Sequence, residues 1–225
     1  MRLAALFSGG KDSTYAIYLA EKLGHEVPLL LTISPATDES YYFHYPNIWI
    51  TRLQAEAMEK GHIMVSAGPS RADELHALID LIDKISGEID GLLSGVIKSS
   101  AQYEAFKKIC MEKGLRFVTP LWSRDPVELL EEMLSDNFEI LIVGVAAEGL
   151  KKDLLGKVLD RQLLRLLKDL SESYGISPVG EGGEFETLVI DGPLFKKRIR
   201  ILDYDIRWSG YSGFMSIKKA ELVEK

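Results

Sequence analysis

The stretch that decides the fold is Leu3-Ala4-Ala5-Leu6-Phe7-Ser8-Gly9-Gly10-Lys11-Asp12-Ser13-Thr14. An apolar run, Leu3–Phe7, stops abruptly at Ser8 and two glycines. From Thr14 to Leu23, Ala16, Leu19, Ala20 and Leu23 recur at helical spacing, and Gly24 is the stop signal. A short buried strand, a tight loop and a helix make the opening of a βαβ unit. That setting gives the loop a meaning. Two glycines let the backbone turn sharply and expose consecutive N–H groups. The following helix points its positive end at the same place. Ser8 and Ser13 add hydroxyls and Lys11 adds a full charge, so Ser8–Ser13 reads as a cradle for a phosphate chain. Asp12 would repel a bare polyphosphate, and a bridging Mg²⁺ is the role that suits it. The simpler alternative is a tight turn with Ser13 as helix cap; the strand–loop–helix context favours phosphate. Neither G-x-x-x-x-G-K-[ST] nor G-x-G-x-x-G fits these residues.

Working outward, Val27–Ile33 is an uncharged apolar run, as expected for a strand covered on both faces. An aromatic loop, Tyr41–Pro46, leads to a helix over 50–60. Further strands are expected at Ile63–Val65, Gly91–Ile97 and Leu115–Val118. Between them, Leu75, Leu78, Ile79, Ile82 and Ile85 mark one helix, and Tyr103, Phe106, Ile109 and Cys110 mark another. Five strands separated by helices predict a doubly wound, five-stranded parallel sheet, with ligands at the carboxyl ends of the strands. After Trp122 the rhythm changes. A helix capped by Asp125-Pro126, a strand over 138–145, a helix over 160–174 and a β-rich tail predict a smaller α+β domain. The expected division is 1–122 and 123–225.

The 225 residues are 46% hydrophobic and 27% charged, a composition that excludes disordered and fibrous classes. Apolar runs are far below the ~20 residues of a membrane span, and the N-terminus does not read as a signal peptide. A net charge of −7 disfavours a nucleic-acid partner. The clusters Lys196, Lys197, Arg198, Arg200 and Lys151, Lys152, Lys157, Arg161, Arg165, Lys168 read as solvated faces. The single Cys110 excludes an intramolecular disulfide and any Cys-x-x-Cys site. A cytoplasmic location is expected.

The hexapeptide Ser8–Ser13 resembles the PP-loop of the N-type ATP pyrophosphatases, within the adenine nucleotide alpha hydrolase-like fold. Such enzymes cleave ATP between its α and β phosphates, adenylate an acceptor and then replace AMP with a nitrogen or sulfur nucleophile. A second segment, Glu181-Gly182-Gly183-Glu184-Phe185-Glu186-Thr187, is similar to the diphthine–ammonia ligase (diphthamide synthase) family. Tyr174-Gly175 before it and Asp191-Gly192-Pro193-Leu194-Phe195 after it extend the match. So do Ser94–Ile97, Leu121-Trp122-x-Arg124, Val145–Leu150 and Leu155–Asp160, and the resemblance reaches from residue 2 to about 196. Longer members carry extra C-terminal domains, and this chain looks like a minimal archaeal form.

The resemblance implies a reaction: the carboxylate of diphthine, a modified histidine of translation elongation factor 2, becomes an amide. ATP yields AMP and pyrophosphate through an acyl-adenylate. It implies ATP and Mg²⁺ at Ser8, Gly9, Gly10, Lys11, Asp12 and Ser13. Lys11 would stabilise departing pyrophosphate and Asp12 would orient the metal. Adenine is expected at the end of the second strand, around Ile33, with a further contact at Ser94 and Gly95; for Gly95, close strand–helix packing is as good a reading. Glu181, Gly182, Gly183, Glu184 and Glu186 read as an anionic loop for Mg²⁺ or for the trimethylammonium of diphthine, with Glu184 and Glu186 sharing a face if extended. Tyr41, Tyr42, Tyr45, Trp49 and Trp122 are candidates for an aromatic cage. His44 is a candidate base, and Tyr103 and Arg124 are weaker candidates. With Cys110 read as core and Arg at position 2, free ammonium is the expected nitrogen source. A homodimer is compatible with the sequence. Two other readings stand beside this one: a PP-loop enzyme modifying a tRNA base, and a nucleotide-binding module without turnover.

Overall fold

The structure is a computed structural model that describes residues 1–34 and 47–225. The chain separates into two compact units, Met1–Ser123 and Arg124–Lys225.

The first unit opens with β1 (Arg2–Leu6), α1 (Lys11–Lys22) and β2 (Glu26–Ser34), followed by α2 (Ile50–Ala57) and β3 (Gly61–Ser66). It continues with α3 (Arg71–Ile85), β4 (Gly91–Leu93), α4 (Ser100–Glu112) and β5 (Arg116–Val118). The strands form one parallel sheet in the order β3-β2-β1-β4-β5. This is the doubly wound arrangement that the alternation of apolar runs and amphipathic helices predicts. The strand order reverses between β1 and β4, so the crevice outside their carboxyl ends is the place for a ligand. Ala4 and Leu6 of β1, Leu31 and Ile33 of β2 and Leu92 of β4 share a core cluster with Leu78 and Ile82 of α3 and Phe106 and Cys110 of α4. Each Leu, Ile or Phe side chain among them contributes roughly 1.5–3 kcal/mol by leaving water, which holds the strand ends in fixed register under the site.

Among the boundaries that differ from expectation, two bear on the loop, and the helix expected over 50–60 ends at Ala57. Helix α1 begins at Lys11 rather than Thr14, because the first turn is polar and carries no part of the apolar period. Strand β4 ends at Leu93 rather than Ile97; Ser94–Ile97 leaves the sheet.

The second unit holds α5 (Pro126–Ser135), β6 (Glu139–Val145), a 3₁₀ turn at Lys152–Leu154 and α6 (Arg161–Tyr174). Three strands follow, β7 (Phe185–Asp191), β8 (Arg198–Trp208) and β9 (Gly213–Val223). Its sheet is antiparallel, in the order β7-β6-β9-β8. Asp125 caps α5 by accepting the N–H groups of Val127 and Glu128 at 2.9 and 3.0 Å, with Pro126 in the first turn. Asp160 caps α6 through the N–H of Leu163 at 2.7 Å, and Gly175 ends it in the left-handed conformation.

Candidate active site

The turn between β1 and α1 is built from its own polar atoms. Gly9 has φ +80°, a conformation open to glycine at little cost. Gly10 is the N-cap of α1 in extended conformation, and no side chain caps the helix. The Gly10 carbonyl is held three times: by Ser13 Oγ at 3.2 Å, by Thr14 Oγ1 at 2.8 Å and by the Thr14 N–H at 3.1 Å. Ser13 Oγ also stands 3.2 Å from Ser8 Oγ, which in turn receives the Gly10 N–H at 3.5 Å. The N–H groups of the first helical turn precede any intrahelical acceptor. The geometry is that of a compact anion cradle, with two hydroxyls and a helix N-terminus around one point. Ser13 serves the loop from inside the first turn and is not the helix cap.

Lys11 is 6% exposed, and its Nζ donates to Asp12 Oδ2 at 2.8 Å. The other oxygen, Asp12 Oδ1, is buried and accepts no hydrogen bond among the described residues. A buried carboxylate oxygen without a donor is costly. A divalent cation bridging to phosphate is the partner that suits it, so Asp12 fits the expected Mg²⁺. No group of three or more His, Cys, Asp or Glu side chains that could hold a metal gathers among the described residues.

Neighbouring strands complete this edge. The Phe7 N–H donates to the Leu31 carbonyl at 2.8 Å, and β1 ends there while β2 runs on to Ser34. The two-residue period of a strand carries the main-chain groups of Ile33 to the side of β2 that β1 has vacated. Ile33 itself is fully buried. At the end of β4, Ser94 is 4% exposed and anchored by its N–H to Val118 at 3.0 Å. Gly95 abuts α1, where a Cβ would stand 2.6 Å from the Asp12 carbonyl oxygen. The glycine thus has a packing duty beside the loop.

In the second unit, the acidic glycine segment is a turn leading into β7. Glu184 accepts the Ser177 N–H at 2.9 Å through one oxygen and the Gly182 N–H at 2.8 Å through the other. Glu186 lies on β7 opposite Gly144, whose missing side chain makes room for it. Glu184 precedes β7 and folds back onto its own loop, whereas Glu186 lies within the strand. Glu181, Gly182 and Gly183 are exposed.

The model of the diphthamide synthase N-terminal domain matches residues 1–117 and that of the C-terminal domain matches 125–223. Proteins named diphthine–ammonia ligase from Bos taurus and Homo sapiens are each 35% identical over all of this chain and 91% of their own length. The chain belongs to the diphthine–ammonia ligase family. It is an ATP-dependent ligase by that membership. A further ligase of this name, from Schizosaccharomyces pombe, is 32% identical over 97% of this chain and 39% of its own length. A solved structure described as a predicted subunit of tRNA methyltransferase from Methanocaldococcus jannaschii aligns over 86% of this chain and 98% of its own. Its TM-score is 0.48 and its identity 19%, too low to carry the fold assignment, which the strand order makes by itself.

Other residues singled out from the sequence fall as follows in this family member. His44, Tyr41, Tyr42 and Tyr45 lie outside the described residues. Tyr103 stacks on Trp122 with ring centroids 4.1 Å apart and planes 21° apart, while Lys107 lies over the Tyr103 ring at 5.4 Å. The pair is therefore already packed, with a cation on one ring. Arg124 pairs with Glu132. Cys110 is core, and burial pushes its thiol up to about 12. Many clustered cations are paired with acids: Lys157 with Asp153, Lys168 with Glu131, Lys197 with Glu224, Arg198 with Glu139 and Arg200 with Glu221. No described helix is long and apolar enough to cross a membrane.

Sequence reasoning missed three residues near the loop. Thr32 is fully buried, and its Oγ1 donates to the Phe7 carbonyl at 2.8 Å. His62 Nε2 stands 2.9 Å from the same oxygen. Burial and the Arg52 cation hold the His62 imidazole below its ordinary pKa. Gln54, also fully buried, donates from Nε2 to the Gly9 carbonyl at 2.8 Å. Its signal was a polar residue on the face where Ile50 and Ala57 mark the buried side of a helix.

Proposed function

We propose that this chain converts the carboxylate of diphthine, on translation elongation factor 2, to its amide with ammonium. The reaction proceeds through an acyl-adenylate, releases AMP and pyrophosphate, and takes place in the cytoplasm, where a lone buried thiol is ordinary. Met1–Ser123 is the ATP-binding unit and Arg124–Lys225 serves the protein substrate. The observation that carries the reading is end-to-end likeness to relatives named diphthine–ammonia ligase, together with an anion cradle at the switch point of the sheet.

The chemistry asks for what the loop offers. A carboxylate resists attack by ammonia because its charge repels electrons and oxide leaves poorly. Adenylation turns that oxygen into part of a phosphate ester that departs readily. Such catalysis rests on positioning and on electrostatic stabilisation of pyrophosphate as it leaves. The Ser8 and Ser13 hydroxyls and the N-terminus of α1 orient the outer phosphates. Lys11, released from Asp12, stabilises the charge that develops there. Asp12 holds Mg²⁺, which when bound offsets polyphosphate charge. The main chain around Ile33 receives the adenine, in the space beyond the end of β1. Ser94 and Gly95 keep the neighbouring strand end close to α1. Glu181, Glu184 and Glu186 shape an anionic turn toward the cationic substrate.

Incubation with ATP, ammonium and diphthine-bearing elongation factor 2, followed by mass measurement of the factor, should show the acid-to-amide change. Pyrophosphate should appear in equal amount. Lys11→Ala should lower its release by about a hundredfold or more, the scale of losing one preorganised charge-stabilising donor. An unmodified factor with the wild-type protein would end this reading.

A further inference from the structure

We infer that Gln54 is the residue that sets the phosphate loop in its anion-binding shape, and so is a positioning residue for the outer phosphates of ATP. The inference rests on the reading that Ser8–Ser13 binds those phosphates. It assigns a role to a side chain 45 residues away in sequence.

The argument begins with the planarity of the peptide bond. In a trans peptide the carbonyl of one residue and the N–H of the next point in opposite directions. Fixing the Gly9 carbonyl therefore fixes the Gly10 N–H. Gln54 Nε2 holds that carbonyl at 2.8 Å from the interior side of the loop. The Gly10 N–H accordingly turns to the other side, where it meets Ser8 Oγ at 3.5 Å within the cradle. The next carbonyl, that of Gly10, is held by Ser13 Oγ, Thr14 Oγ1 and the Thr14 N–H. Two successive carbonyls are thus secured, and two successive N–H groups, of Gly10 and Lys11, are directed away from them. Consecutive N–H groups presented in this way form an anion-binding concavity. The second anchor is local to the loop and α1. Among the described residues, the first is held from α2.

Packing points the same way. Gln54 is fully buried on the eight-residue helix α2. A Cβ on Gly9 would come within 2.3 Å of Gln54 Oε1 and 3.2 Å of Thr51 Cγ2. The loop therefore rests against α2 with no clearance at Gly9, whose φ is +80°. Removing the amide leaves a buried carbonyl without its donor, which favours rotation of the Gly9–Gly10 peptide. Rotation would turn the Gly10 N–H out of the cradle.

Calorimetric binding of inorganic pyrophosphate, ATP and AMP to the full chain separates this role from a merely structural one. AMP lacks the outer phosphates, so it reports the rest of the site. Gln54→Met, similar in size but without a donor, should weaken pyrophosphate and ATP by roughly tenfold and leave AMP within about twofold. In Gln54→Glu only the protonated acid can donate, so its pyrophosphate affinity should fall as pH rises, more steeply than in wild type or Gln54→Met. Equal affinity of Gln54→Met and wild type for pyrophosphate overturns the inference, as does equal weakening of pyrophosphate and AMP. Should Gln54→Met fail to fold, the wild-type side chain is followed by NMR. Its amide protons should exchange slowly and shift with pyrophosphate but not with AMP; fast exchange or the same response to both overturns the inference. A wild-type chain that does not bind pyrophosphate would instead defeat the phosphate reading of the loop.

Discussion

Gly95 and Asp12 meet backbone to backbone: a Cβ on Gly95 would lie 2.6 Å from the Asp12 carbonyl oxygen and 2.8 Å from the Ser13 nitrogen. The end of β4 therefore seats the first turn of α1, and both partners are main chain, which cannot swing aside. Gly95→Ala should cost roughly 1–3 kcal/mol, the usual penalty for overpacking. Because the displaced element carries Lys11 and Asp12, pyrophosphate release should fall as well. A urea titration and a pyrophosphate assay check this, and an alanine variant with unchanged midpoint and activity contradicts it.

Glu184 and Glu186 should separate on stability. Glu184 accepts two backbone N–H groups, so Glu184→Ala should destabilise the chain by about 1.5–3 kcal/mol, the scale of hydrogen bonds to a charged group. Glu186→Gln keeps size and place on β7 and should change stability little. Substituting Gln at both should lower amidation while leaving ATP affinity within a few-fold. Denaturation midpoints and amidation rates for each variant decide the assignment.

His62 gives the fold a pH signature. Its pKa lies below the ordinary 6.5, chiefly because burial penalises the charged ring, with the Arg52 cation adding to it. The unfolded chain therefore takes up the proton first as pH falls. Stability from this group is complete above 6.5 and declines as the solution is acidified toward the lower folded value. Thermal midpoints measured across that window should fall on acidification, and His62→Gln should flatten the slope. Thr32 donates to Phe7, so its oxygen accepts from His62, which assigns the Nε2–H tautomer to the neutral ring.

Cys110 should be silent in the folded chain. Burial pushes its thiol to about 12, so little thiolate exists at about pH 8. Iodoacetamide should label it only as fast as the chain unfolds, and urea should accelerate labelling in step with loss of structure. Rapid labelling without denaturant would contradict its place in the core.

What was legible in the sequence is what is written locally. The strand–loop–helix opening, its glycine turn and the five-stranded parallel sheet all follow from patterns within a dozen residues. The start of α1 was set three residues late because its first turn is polar, and it is polar because it faces the cradle rather than the core. The end of β4 was set late because Ser94-Gly95-Val96-Ile97 looks like continuing strand, whereas Gly95 is there to let α1 approach. The two backbone N–H groups that Glu184 accepts are not legible in a linear sequence, because the loop that brings them round it is set by the fold. Gln54, Thr32 and His62 act through contacts between segments 25 to 45 residues apart, which no local period encodes.

The bare N-terminus of α1 has a thermodynamic consequence. Helices are normally closed by a Ser, Thr, Asp or Asn side chain, a contribution of about 1 kcal/mol that this one forgoes. If ATP binds at this turn as proposed, its phosphate oxygens take that position, and occupancy and folding are coupled. At a concentration of about a hundred times Kd, such a ligand adds roughly 2.7 kcal/mol to the native state. The melting temperature of the chain should thereby rise with the concentration of ATP around it.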